Sequence, residues 1–599
     1  MSTLLEQASL VMIPSGYKED VVYSQIPTSG AGDLSFTRAS NGTRINSAGL
    51  VEVCPWNIFQ QSEDFSNAAW TKTNTTVTAN SITAPNGTLT ADLIVPANAT
   101  DGVIVQASLS FIVGTSYSLS VYGKKEDFNF LLLALPSAAF PTSNRVALFD
   151  LNNGTIASST QSGTGAVITD VGNGWYRCSI TINATATTSA NVVIAARSSN
   201  NLTSLGNGTD GIYIWGAQLN TGELKPYFPT TDRLNVPRLT YQNGGGGCPS
   251  LLLEKQSTNV FTYSEEFNDA SWVKFNSSVS ANTTTSPNGT QNADSLIENT
   301  SNTDHGFYKF APTITTASGA VTISCFIKSN GRRVQIKNSY TTDASNFDLQ
   351  NGVVVSNVGS GVGEIQNIGD GWYRCILKTT ANASGNAGLT LSLLDNSNNM
   401  VYTGNGTSGV YIWGAQIEVS SYPTSYIPTT SSSATRVADA CFKTGISSLI
   451  GQTEGVLFFD VDFKYIDQSS GVETLMTVND GTTANEISIL IDTPSGANKT
   501  LLGYVRNANV NEVVIYAPSP ITATRYKIAL AYKLNDVVLY VNGSLIGSDT
   551  SATIPTTSNL NYKSRSDGSF LNVQQEYVQE SILFKTRLTN AELASLTTI

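Results

Sequence analysis

Gly174-Trp175-Tyr176-Arg177-Cys178 and Gly371-Trp372-Tyr373-Arg374-Cys375 are two copies of one stretch, 197 residues apart. Other pairs keep nearly the same spacing. Asn57 to Phe65 matches Asn259 to Phe267 at 202 residues, and Trp70 with Trp272 keeps that interval. So do Pro85-Asn86-Gly87-Thr88 and Pro287-Asn288-Gly289-Thr290. Tyr213-Ile214-Trp215-Gly216-Ala217-Gln218 returns as Tyr411-Ile412-Trp413-Gly414-Ala415-Gln416 after 198 residues. Ordered matches with small slips mean a duplicated module whose loops have changed length.

Alternation within the copies assigns faces. Tyr176, Cys178 and Ile180 share one face of a strand and are expected in the core, with Trp175, Arg177 and Ser179 on the other. The second copy repeats this, with Tyr373, Cys375 and Leu377 inward and Trp372 and Arg374 outward. Trp215 beside Ala217, and Trp413 beside Ala415, are expected to pack in the core from one strand face. Short strands between Asn-Gly, Pro-Asn-Gly and Gly-Asn-Gly turns, over about 170 residues per copy, predict a two-sheet jelly-roll sandwich.

The wider composition agrees. Charged residues are 13% of the chain, about half the usual ~25%, and Thr, Ser, Asn and Gly replace them, which suits strands and turns over long helices. At 599 residues the chain is too long for one core. The sequence predicts five parts. Residues 1–55 form an extended N-terminal attachment arm. Residues 56–232 are the first jelly roll, and 233–258 a Gly-rich linker with a short strand at Leu251-Leu252-Leu253-Glu254. Residues 259–432 are the second jelly roll, and 433–599 are different in kind. There Lys527 to Tyr532 and Val537 to Ile546 read as antiparallel strands, Asn542-Gly543 as a type I′ turn, and Thr589 with Glu592 as a capping box opening a short helix.

A net charge of -12 and the absence of a basic stripe argue against nucleic acid as a partner. Lys124-Lys125 and Arg332-Arg333 are the doublets, read as solvated turns. No apolar run reaches the ~18 residues needed for membrane insertion, and the N-terminus lacks a secretory signal pattern. The six cysteines have no CxxC spacing, so a zinc site is not expected, and Cys178 and Cys375 read as small buried hydrophobes. Asn86-Gly87-Thr88 and similar triplets read as turn composition rather than glycosylation sites. His305 is the one histidine. It falls in Thr303-Asp304-His305-Gly306, expected to be a solvated loop, while the matching Thr100-Asp101-Gly102 has none. Histidine-dependent triads and metal clusters are thereby disfavoured, and catalytic residues are expected to be none.

The paired Ser-Glu-Asp/Glu-Phe, Gly-Trp-Tyr-Arg and Tyr-Ile-Trp-Gly-Ala-Gln elements, with Cys248 to Glu254 and Thr258-Asn259, resemble the carbohydrate-binding-module-like jelly rolls of phage structural proteins. The C-terminal strands and closing helix resemble a concanavalin A-like, laminin-G-like sandwich. Leu10 to Pro14 through Thr43 to Asn46 resemble the start of fibre proteins of phages of gut Bacteroidetes, including the crAss-like group. These resemblances imply an all-β fold of tandem β-sandwich jelly rolls followed by a concanavalin A-like/laminin-G-like β-sandwich. They also imply a virion head or tail fibre or appendage, not an enzyme, assembled in the host bacterial cytoplasm and displayed on the virion surface. Weak multivalent attachment to host-surface or mucus glycans is the expected role. The expected partners are those glycans and other virion proteins, reached through the N-terminal arm, and the expected state is a homotrimer. A purely architectural or decorating component and a polysaccharide depolymerase are the alternatives.

For sugar, stacking needs an outward aromatic beside polar groups. Trp175 with Arg177 and Trp372 with Arg374 have that chemistry, against the alternative of each Arg packing on its Trp as a structural cation–π pair. Many such jelly rolls ligate a structural calcium through an aspartate in the last strand. Here that strand reads Trp215-Gly216 and Trp413-Gly414, so no metal and no cofactor is expected, loop carbonyls being the one route left to a structural calcium.

Overall fold

The computed structural model describes residues 2–99, 101–242, 244–315, 317–467, 471–493, 498–563 and 574–599. Thr100 and Asn243, which belong to stretches read above as loop and linker, lie outside the described residues. The chain forms two compact units, one of Pro55–Arg233 with Asn282–Ala293, the other of Met1–Cys54, Leu234–Ala281 and Asp294–Ile599.

The first unit holds the first copy, two six-stranded antiparallel sheets. Cys178 and Ile180 lie fully buried in the core with Phe59, Phe65 and Trp70, and Tyr176 packs on its margin. The second copy repeats the pair of six-stranded sheets, and all but its Asn282–Ala293 stretch belongs to the other unit. There Cys375, Leu377, Phe261, Phe267 and Trp272 form the equivalent core. The alternation read from the sequence is therefore the alternation of the strands Trp175–Asn183 and Trp372–Thr380.

One expectation fails at a single residue per copy. In the strand Ile212–Thr221 the register slips opposite Ser120/Tyr122. Gly216 there adopts φ +61°, and Gly414 in the second copy φ +62°. A bulge inserts one residue and resets the alternation beyond it. Trp215 therefore packs with Trp175 on the outer face, and Ala217 packs in the main core.

The C-terminal residues build a third sandwich from an eight-stranded and a nine-stranded sheet. Val537–Val541 and Ser544–Asp549 pair as the expected hairpin, with Asn542 and Gly543 both at positive φ. The capping box of Thr589 and Glu592 opens the helix Asn590–Thr597.

Residues 1–55 were expected to be an extended arm; the structure instead builds the strands Ala8–Met12, Tyr17–Lys18, Val21–Val22 and Leu34–Thr37 into this sandwich, while Gly42–Ile45 and Val51–Cys54 pair as a separate hairpin. Ala8–Met12 pairs antiparallel with Gln575–Phe584, and Leu34–Thr37 with Ala440–Lys443. The cause is apolar side chains on both faces. Leu10 and Met12 enter the main core, while Val11 joins the opposite face beneath the C-terminal helix with Leu588 and Leu593. Free in solvent, those side chains would each forfeit about 1.5–3 kcal/mol of burial.

The stretch after the first copy behaves likewise. Ser250–Leu253 is a strand, as expected, but it is a sheet member paired with Gln575–Phe584 rather than part of a linker lying on its neighbours. A buried charge network ties these segments together. Arg38 donates to Asp439 at 3.0 Å, Arg238 pairs with both Glu254 and Asp439, and Arg436 lies 3.1 Å from Glu254. All five side chains are essentially fully buried. Such pairs survive burial only when geometry and further hydrogen bonds compensate lost hydration; here Glu254 also accepts from Ser425 and Gln575.

Candidate functional site

The four residues expected to present contact surface are placed differently from that expectation. Trp175 is 1% exposed and Trp372 2%. Both lie on the outer face of their sheets, but outward is not exposed: Trp175 packs with Ala84, Ala91 and Trp215 and donates to Thr83 O at 3.3 Å, and the chain beyond the last strand adds Tyr227 to that cluster. Tyr227 packs on Trp215, and Tyr426 on Trp413, with ring centroids 4.8 Å apart in each copy.

The arginines fasten that return segment. Arg177 donates to Ser120 Oγ at 3.1 Å and Lys225 O at 2.9 Å, and Arg374 to Ser324 Oγ and to Thr424 O at 2.8 Å. Their guanidiniums lie over Tyr122 and Phe326, not over the tryptophans. The four residues thus form two structural clasps with no aromatic face free for stacking.

His305 is also not a solvated loop residue. It begins the strand His305–Ala311, fully buried, with Nδ1 2.8 Å from Asn276 O and its ring against Tyr402. Arg332 and Arg333, read as a solvated doublet, are held by Glu298 and Asp348.

A different surface has the chemistry sought. On the outer face of the other sheet of the second sandwich, four rings follow one another. Phe275 stacks on Tyr308 with centroids 6.5 Å apart and planes at 28°. Tyr308 lies 4.9 Å from Phe310, and Phe310 5.1 Å from Tyr340. Phe310 is 50% exposed, and the other three are half-buried. Between Tyr308 and Phe310, Lys309 points inward. It donates to Thr262 and Ser271 and sits 4.5 Å over the Trp272 ring. Burial pulls its pKa down to about 8.

Polar groups border the strip. Thr390 is the register partner of Tyr308 and of Lys337, and its hydroxyl bonds Ser339 at 2.9 Å. Further in, Gln335 donates to Asn346 at 2.9 Å. Lys337, Thr390 and Asn346 keep partial exposure.

The first copy shows what the face becomes without this chemistry. By strand register Leu132 pairs with Leu148 and Ala195 where the second copy pairs Gln335 with Asn346 and Ser392. Val105 replaces Tyr308 and Thr73 replaces Phe275. Leu132, Leu148 and Ala195 are buried in a satellite cluster with Ala157, where Ser159 and Asn200 join the covering loops at 2.8 Å. The duplicated sheet is closed in one copy and open in the other.

Sequence reasoning passed over this strip although one signal was legible. Tyr308 and Phe310 stand two apart in a strand-like run and so share a face. What could not be read was that Phe275 and Tyr340, from separate segments, extend the row.

No family model matches the chain, and no curated protein matches it. Solved structures with partial likeness include the Ruminococcus gnavus IT-sialidase CBM40 bound to α2,3-sialyllactose, 16% identical over 26% of this chain and 91% of that one, TM-score 0.22. A SAP-like pentraxin from Limulus polyphemus is 13% identical over 24% of this chain and 69% of that one, TM-score 0.20. Mouse laminin α1 domains LG4-5 are 12% identical over 48% of this chain and 90% of that one, TM-score 0.17.

Proposed function

We propose that this chain is a non-enzymatic surface protein of a bacteriophage particle, a head or tail fibre or appendage. Its second sandwich holds host-surface or mucus glycans on the strip of Phe275, Tyr308, Phe310 and Tyr340. The observation that carries the binding reading is this row of partly exposed rings bordered by Lys337, Thr390 and Asn346, in one of two duplicated sheets whose twin is covered. Rings of this kind stack on the C–H face of a pyranose while neighbouring polar groups orient its hydroxyls. A shallow strip implies weak single-site binding, which many copies per particle would raise through avidity.

The virion assignment rests on the sequence resemblance, and a homotrimer belongs to the same proposal. Anchoring to other virion proteins through the N-terminal residues belongs to the same proposal, with Ala8–Met12 and Leu34–Thr37 themselves paired into the C-terminal sandwich. A glycan array probed with the full chain and with Phe310→Ala tests the binding reading. Retention by the wild type that the variant loses supports it, and a silent array favours an architectural role. Antibody labelling of intact particles tests the location, and a reducing-end assay on capsular polysaccharide tests the absence of hydrolysis.

A further inference from the structure

A second recessed site lies within the larger unit, away from the aromatic strip. The hairpin of Gly42–Ile45 and Val51–Cys54, the strand Val362–Gly369 and the strands Glu454–Tyr465 and Gln575–Phe584 enclose a crevice. Its inner end measures about 100 Å³, room for several waters' worth of ligand. It opens into a trough of about 420 Å³ that shares Gln366, Ile368, Lys464 and Tyr577 with it.

The charge arrangement of the inner end is one-sided. Among the described residues three cations line it, Arg44, Arg374 and Lys464, and no carboxylate does. Arg44 is neutralised by Glu52 at 2.8 Å. Arg374 donates to neutral oxygens of Ser324 and Thr424, and Lys464 donates to Gln366 Oε1 at 3.0 Å. The nearby acids are engaged or set apart. Glu364 is paired with Lys378, Glu254 belongs to the buried network, and Asp462 borders the trough rather than the inner end.

Lys464 keeps solvent access through the trough while protein crowds its ammonium. That desolvation, with Arg374 next, pulls its pKa down to about 8, against the opposing pull of Glu364, Glu254 and Asp462. A second observation points to a ligand with donors as well as charge. Gln575 lines the same space, is 4% exposed, and its Oε1 has no hydrogen-bond partner. An unmet acceptor costs about 1–3 kcal/mol unless a donor reaches it.

We propose that the inner end of this crevice binds the carboxylate of a uronate-type saccharide, with Lys464 and Arg374 taking the anion and Gln575 Oε1 accepting from an adjacent hydroxyl. This site stands apart from the aromatic strip and does not depend on it. Charge-assisted hydrogen bonds of this kind are roughly twice as strong as neutral ones, so removing the carboxylate should weaken binding about tenfold.

Ligand-observed NMR titration of the full chain with galacturonate, galactose and acetate tests it, repeated with Lys464→Gln and Phe310→Ala. The expected result is galacturonate binding about tenfold tighter than galactose or acetate, lost in Lys464→Gln and retained in Phe310→Ala. Thermal melting of Lys464→Gln should match the wild type, because its side chain opens on the trough. Equal binding of galactose, equal binding of acetate, an undiminished Lys464→Gln or no galacturonate binding would each overturn the proposal. Loss in Phe310→Ala would overturn it too, by moving the uronate to the strip.

Discussion

Gln335 and Asn346 face each other across two strands of the second sandwich at 2.9 Å, at the place where the first sandwich pairs Leu132 with Leu148. One duplicated scaffold thus carries an apolar, loop-covered face in one copy and a polar face edged by aromatic rings in the other. Divergence at these positions leaves both cores intact, since Leu131 and Leu133 in one copy and Val334 and Ile336 in the other still point inward.

Phe310→Ala and Trp372→Ala should separate contact surface from clasp. Phe310 is half in solvent, so its loss should leave the unfolding midpoint nearly unchanged and weaken glycan retention severalfold. Trp372 is buried, and its replacement should cost about 3–5 kcal/mol. Denaturant unfolding beside affinity electrophoresis on immobilised glycan reads both effects.

Gly414→Ala should destabilise the second sandwich. At φ +62° an added Cβ would stand 2.9 Å from Phe326 Cδ2 and 3.2 Å from Tyr426. Backbone strain of about 1–3 kcal/mol at such a position, plus displacement of the Phe326–Trp413–Tyr426 cluster, should lower the melting temperature. A Gly414→Ala protein that melts with the wild type would refute the bulge as the cause of the face switch.

Deleting residues 1–12 should damage the C-terminal sandwich, not merely shorten the protein. It removes the strand that pairs with Ile582 and Leu583 and the buried Leu10, Val11 and Met12. At about 1.5–3 kcal/mol for each buried apolar side chain, several kcal/mol should be lost. An open strand edge also invites association. Size-exclusion chromatography and urea unfolding report both.

Glu576→Gln should flatten the pH dependence of stability. Glu576 is fully buried and neither carboxylate oxygen has a hydrogen-bond partner. Burial pushes its pKa up to about 8, with Lys563 opposing and Glu473 adding to the rise. Between an ordinary carboxylate value of about 4.3 and about 8, the folded protein keeps a proton that the unfolded chain has released. Its contribution to stability therefore falls as pH rises through that window. Lys563, itself lowered to about 8 by burial, acts in the opposite sense above that pH. Urea midpoints across about pH 5 to 8 should decline less steeply in the variant, which should be the more stable of the two near pH 8.

Much of the architecture was legible because it depends on local periodicity. Tyr176, Cys178 and Ile180 alternate in sequence and alternate in the sheet. Asn542-Gly543 carries the positive φ angles its hairpin demands, and Thr589 with Glu592 closes its capping box. Gly216 and Gly414 were visible too, but their bulge was not, because the register slip exists only against the neighbouring strand.

The candidate site was hidden for a related reason. Trp175 and Trp372 point outward as alternation requires, yet Tyr227 and Tyr426 arrive from about fifty residues further along the chain to help cover that face. His305 reads as loop beside Asp304 and Gly306, and pairing with the strand Ala387–Leu394 buries it.

The amino-acid sequence by itself determined the duplication, the strand-forming character of each module and the inward side of the paired Cys178 and Cys375 strands, because those properties arise from neighbours within a few residues. Tertiary structure decided which outward faces stay open, where Leu10 to Met12 find their partners, and how Arg38, Arg238, Arg436, Glu254 and Asp439 come together. Burial and charge pairing are properties of surfaces meeting across hundreds of residues, and such meetings leave no mark in local periodicity.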